Sequence, residues 1–235
     1  MTGSSVARLV VFATVAGGSL LLGAAAGSFW KPAEGLRGSM LAFGAGGLIV
    51  AVAFELFQPA HQEVGLANAA IGLVVGSAVF IALDLVLERH AGREATGLAL
   101  VAGVVLDGIP ESFALGVGLA EGGSLALLVA IAVSNFPEAL GGAAAMRSAG
   151  RPAAQGFGIW AITTAVLTVA IVVGRLAAGV MSGSGLGMMS AVAAGSVLAS
   201  LADTVMPEAY AEGGPLVAFA TSAGFLVAYA LATLD

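Results

Sequence analysis

With 235 residues, 59% of them hydrophobic and only 9% charged, and a mean hydropathy of +1.05, the chain carries more apolar surface than a water-soluble domain of its length can hide. The bilayer is its expected solvent, and its 35 glycines suit membrane helices whose backbones approach closely. The absence of cysteine excludes disulfides and thiolate metal sites, and the net charge of −6 says little about surface partners because most acids away from loops fall inside apolar runs.

Eight apolar segments of spanning length follow one another, at about 6–26, 37–57, 66–87, 97–119, 124–146, 157–180, 188–206 and 216–234. The first is preceded by Arg8 and closed by "GAAAG", as a signal peptide would be. Its apolar core exceeds the roughly 7–15 residues of a signal core, so it reads as a retained helix. The second ends in "FELFQPAHQE", which brings Glu55, Pro59 and His61 to the edge of the apolar run. The fourth carries Asp107, Pro110 and Glu111 near its middle, and the fifth carries Ser134, Asn135, Pro137 and Glu138 at a similar depth. The seventh ends in "ADTVMPEAYAE", with Asp203, Pro207 and Glu208. Short connections such as "KPAEG", "EGG" and "RSAGRP" join the spans. Barrel strands would be about half as long and would alternate, so the fold class is an all-α integral membrane protein forming one transmembrane domain over 1–235.

Basic residues set the orientation. Lys31 and Arg37 flank the first loop, Arg89 and Arg93 the third, Arg147 and Arg151 the fifth; placing these loops in the cytoplasm leaves both termini extracytoplasmic. In that orientation the second and seventh spans run oppositely, yet Glu55 and Pro59 match Asp203 and Pro207. Pro110–Glu111 and Pro137–Glu138 repeat in the same way on the fourth and fifth spans. Two nested pairs agreeing on one symmetry predict an inverted repeat with proline-broken helices, a transporter pattern.

The acids carry the chemistry. Asp107 and Glu111 are four residues apart and share a helix face; Ser134 and Asn135 cluster with Glu138 on the next span. Each proline removes an amide, freeing the carbonyls of Leu106 and Val133 as further oxygen donors. An ionised Asp at mid-membrane costs roughly 2.5–3.5 kcal/mol, and no Lys or Arg stands in the central part of any span to offset it. Like charges in a poor dielectric also resist joint ionisation. The acids are therefore protonated when alone, or a cation sits among them. A divalent cation resolves the conflict and releases protons as it binds. The plain alternative for any one of these residues is hydrogen-bonded helix glue.

The motifs Asp107-Gly108-Ile109-Pro110-Glu111-Ser112 and Ser134-Asn135-Phe136-Pro137-Glu138-Ala139 resemble the paired Pro-Glu motifs in the fourth and fifth helices of the ZIP (Zrt/Irt-like) family of divalent-metal transporters, in a bacterial-type form. The resemblance implies alternating access, with the first, fourth, fifth and sixth helices moving past a scaffold of the others, and metal travelling toward the cytoplasm. It implies metal ligands at Asp107, Glu111, Asn135 and Glu138, with Ser134 as a fifth, and a homodimer in the cell (inner) membrane. Metal is expected to enter from outside near Glu55 and His61 and to leave near Glu208 toward the cytoplasm, with Asp203 a further entry or exit candidate. The family's usual histidine is Asp107 here, and its usual next asparagine, which helps hold a second metal, is Gly108; a single site is therefore expected. An all-oxygen ligand set weakens the case for Zn²⁺ as dedicated cargo and strengthens Mn²⁺ or Fe²⁺, with Cd²⁺ less favoured, while adequate carboxylate bonds and the family's usual cargo keep Zn²⁺ open. The metal is cargo, and no organic cofactor or nucleic-acid partner is expected. Intramembrane protease motifs are missing: His61 and His90 stand at opposite faces, and no His-Glu-x-x-His occurs. The closer rival is a proton or other ion transporter using the same acids.

Overall fold

The computed structural model describes residues 3–90, 96–120, 122–181 and 183–234. Among these the chain is helical and contains no strand. Helix α1 spans Gly3–Phe29 and α2 Glu34–Val50, which continues through a wide π segment, Ala51–Phe57, into α3, Gln58–His90. Helices α4 (Thr96–Gly118), α5 (Leu125–Ser148) and α6 (Ala153–Val180) follow. Helix α7 (Gly183–Ser200) runs through a second π segment, Leu201–Val205, into α8 (Met206–Gly213); a short 3₁₀ turn, Gly214–Leu216, leads to α9 (Val217–Ala232).

Among the described residues, five helical runs are long and apolar enough to cross a membrane: Ser5–Phe29, Gly35–Val86, Leu125–Ser148, Ala153–Val180 and Gly183–Ala232. Two of them, of 52 and 50 residues, far exceed the roughly 20 residues that one crossing needs. Each is broken by a glycine in the left-handed region, Gly65 at φ 79° and Gly214 at φ 64°, where a side chain would be strained and the chain can turn back. Large apolar side chains such as Leu22, Val74, Ile162 and Leu226 face outward with about two thirds of their surface exposed, at 66%, 65%, 67% and 66%. Water would not tolerate such a surface; lipid does. The chain is a multi-pass helical membrane protein.

The π segments have a local cause. Pro59 and Pro207 lack an amide, and in a regular helix each ring would press on the carbonyl four residues back, that of Glu55 or Asp203. The turn widens just before each proline: Gln58 donates to the Ala53 carbonyl and Met206 to the Leu201 carbonyl, both five residues back. The sequence match between the two stretches is thus also a structural match. Helix α5 begins for a different reason, since Ser124 caps it by accepting a hydrogen bond from the Leu127 amide at 3.0 Å.

Packing is dominated by four close pairs: α3 with α7, α2 with α9, α1 with α5 and α4 with α6. Exchanging α1, α2, α3 and α4 with α6, α7, α9 and α5 respectively maps these pairs onto one another, and maps the α2–α5 contact onto α4–α7. Glycines make the approach possible. A Cβ at Gly76 of α3 would strike the Val192 carbonyl of α7, and one at Gly195 of α7 would strike the Leu73 carbonyl of α3. Gly46 and Gly224 stand in the same reciprocal relation between α2 and α9.

One end of the bundle gathers Lys31, Arg37, Ser148 and Glu212 around a cavity of about 390 Å³. The opposite end gathers Glu55, Glu63, Gly118, Ser124 and Gly183 around one of about 440 Å³. Arg93 and Glu94 of the third loop lie outside the described residues.

Candidate metal centre

Helices α4 and α5 run unbroken through Pro110 and Pro137 and bury the predicted acids between them and their neighbours. Asp107, Glu111, Ser134, Asn135 and Glu138 are all buried, Glu138 being the most exposed at 8%. The charge of Asp107 acts on Glu111, and those of Glu111 and Asp107 act on Glu138, so the three carboxylates share one electrostatic neighbourhood. Among the described residues, no three of His, Cys, Asp and Glu stand close enough to enclose a metal by themselves. A complete ligand shell here needs neutral oxygens as well.

Such oxygens are present in two serines. Ser134 Oγ is buried without a hydrogen-bond partner, and the buried Ser200 hydroxyl has the Asp107 carboxyl as its neighbour. Orphaned polar atoms inside lipid-embedded protein are costly, and each would be relieved by a cation or an ordered water. Ser200 was not visible from sequence. It ends α7 immediately before the π segment, interacts with the Asp107 carboxyl and brings a third helix to the site. Nothing in its neighbourhood, "VLASLAD", distinguishes it from a packing serine. Ser134 turns toward α2, where a Cβ on Gly44 would lie 2.8 Å from the Ser134 Cβ.

Gly108 has a packing role. A Cβ there would fall 2.7 Å from Leu167 Cδ1 of α6, so the space that a larger residue's side chain would need is already filled by an apolar one.

The flanking residues divide. Glu55 is half-buried in its π segment and lines the 440 Å³ cavity. His61 is exposed and is not among that cavity's lining residues, whereas Gln62 and Glu63 are. Asp203 is exposed in its π segment, and its charge, like those of Asp84 and Glu208, is felt by Asp107. Glu208 is in an ion pair: the Arg37 guanidinium bridges Glu208 and Glu212 of α8. From sequence, Arg37 stands at a loop and no base stands near the acids. The structure instead turns its side chain inward, 11% exposed, with Nε donating to the Pro137 carbonyl at 3.2 Å. That carbonyl adjoins Glu138, which feels the Arg37 charge. Arg37 sits one turn into α2, and a long side chain can reach well beyond the register of its Cα.

Fold and site together define a multi-pass helical membrane protein with a buried acidic cluster at the junction of α4, α5 and α7. No protein-family model matches the chain. Among curated proteins it is similar to the Arabidopsis thaliana protein named "Putative zinc transporter At3g08650", at 28% identity over 207 residues. That match covers 81% of this chain, and the chain spans about a third of the relative's length (33%). The similarity agrees with the resemblance to the ZIP family carried by the two Pro-Glu motifs.

Proposed function

We propose that the chain is a ZIP-type divalent transition-metal transporter with eight spans, an inverted repeat and extracytoplasmic termini, moving metal toward the cytoplasm by alternating access. The site is formed by Asp107, Glu111, Asn135 and Glu138 on α4 and α5, with Ser200 of α7 as an additional oxygen. One observation carries the reading: three carboxylates that act on one another's charge are buried beside the Ser134 and Ser200 hydroxyls, an arrangement whose charge a divalent cation would largely offset. The glycine breaks at Gly65 and Gly214 support the eight-span count, since dividing two of the five long apolar runs gives seven and α4 adds the eighth. The symmetric pairing of helices supports the inverted repeat. Leu167 packed against Gly108 supports one metal per site. The name of the Arabidopsis relative supports zinc as a cargo, and the hard oxygen set supports Mn²⁺ or Fe²⁺ beside it. A homodimer belongs to the same reading.

Purified protein titrated with Zn²⁺, Mn²⁺, Fe²⁺ and Cd²⁺ tests it. Wild type shows a divalent-dependent rise in thermal midpoint and metal uptake into vesicles; Glu138→Ala and Glu111→Gln lose both while remaining folded. If no divalent ion shifts the midpoint, and acidification alone drives flux, the buried acids serve as a proton relay instead.

A further inference from the structure

We infer that Arg37 is the polar strut that closes the carboxylate site toward the cytoplasmic end, and that its guanidinium must leave Pro137 before an ion at Glu138 can pass. The inference rests on the transport reading above and adds a residue that sequence motifs do not indicate.

The geometry is that of a lock between two parts. Arg37 belongs to α2, and its guanidinium is gripped by Glu208 and Glu212, four residues apart on one face of α8. Both helices belong to the half that the resemblance treats as scaffold. The third contact crosses to the other half: Nε donates to the Pro137 carbonyl of α5. The slot on α5 is kept by Gly141, because a Cβ there would strike the guanidinium. Position along α5 shows what is being closed. Ser134 and Glu138 lie at or before the contact, Gly141 lies at it, and Ala144, Ala145 and Ser148 line the 390 Å³ cavity beyond it. Arg37 itself forms part of that cavity's wall, so one side chain stands both at the cavity and against the neighbour of Glu138. Planar, bidentate and always charged, a guanidinium is suited to such a task, and its grip on α8 leaves Nε free to engage a partner that slides. A divalent ion at Glu138 would repel the same guanidinium, giving the occupied site a reason to release the strut.

The chain has no cysteine, so Ser134→Cys introduces a single thiol on the far side of Arg37 from the cavity. Full-length protein in liposomes is treated with a small maleimide from the cytoplasmic face, and the rate at which that thiol is modified is compared across variants. Arg37→Gln removes the strut; Gly141→Ala keeps the charge but fills its slot. Both should speed labelling roughly tenfold, a shift within the usual range of conformational coupling. If Arg37→Gln does not fold because Glu208 and Glu212 are left facing each other, Arg37→Gln combined with Glu212→Gln relieves the repulsion, and Gly141→Ala decides independently. Labelling rates equal to the parent in every folded variant would overturn the inference. Divalent titration of the protein without the Ser134→Cys change separates the two readings: absence of metal binding sinks transport and leaves the labelling comparison standing, whereas intact binding with unchanged labelling sinks the strut alone.

Discussion

Gly108 illustrates how one residue limits the chemistry of the site. Where the ZIP resemblance leads one to expect an asparagine, the chain has no side chain, and Leu167 of α6 occupies the space. Gly108→Asn should therefore fail to create a second metal position. It should instead overpack the α4–α6 contact, costing about 1–3 kcal/mol, since an interior at native density has no room for added atoms. Thermal unfolding in detergent should show the lowered midpoint, and metal stoichiometry should stay at one per chain. A second bound metal without loss of stability would contradict the packing argument. Asp107 is the complementary case: in the proposed site its carboxylate would make the ligand set harder than a histidine would, with Ser200 beside it as a neutral oxygen.

Among the helices, reciprocal glycines turn pairs of cylinders into closely fitted surfaces. In a bilayer no hydrophobic force drives helices together, so close backbone approach and dispersion must do so. Gly76→Ala should push α3 from α7, because its methyl would meet the Val192 carbonyl rather than a movable side chain. Gly18 of α1 has nothing within 4 Å of the same hypothetical atom. Gly18→Ala should therefore be neutral or slightly stabilising, by up to about 1 kcal/mol from helix propensity. Paired melting curves of the two alanine variants should move apart; equal shifts would refute the contact. Local composition also accounts for what could be read before folding. The apolar runs, the short turns and the matching Glu55–Pro59 and Asp203–Pro207 stretches were legible because span length and proline leave marks in sequence. The π geometry of those stretches was not, since it depends on how each proline is accommodated. The inward reach of Arg37 was hidden for a related reason: a base one turn inside α2 looks like an interfacial residue until α5 and α8 are placed around it.

Across the whole molecule, sidedness is the property most directly open to test. Because the native chain is free of thiols, single cysteines report without background. Ala120→Cys follows α4 and Ala149→Cys follows α5; both positions are exposed. In sealed right-side-out vesicles an impermeant maleimide should label the Ala120→Cys variant at once and the Ala149→Cys variant only after permeabilisation. The reverse order would invert the orientation drawn from the basic loops. The three acids of the candidate site were legible as chemistry, because acids in apolar runs are expensive and therefore conspicuous. Their mutual placement, and the arrival of Ser200 from α7, required the tertiary structure.

Among the described residues, the hollows at the two ends of the bundle stop short of the buried acids. Neither the 440 Å³ recess beside Glu63 nor the 390 Å³ recess beside Arg37 is lined by Asp107, Glu111, Ser134, Asn135 or Glu138. Under the transport reading proposed above, an ion would reach the acids from either recess only when the helices between them move. Throughput would then follow how often the helices rearrange, in the microsecond-to-second range of collective motion rather than at the pace of free diffusion.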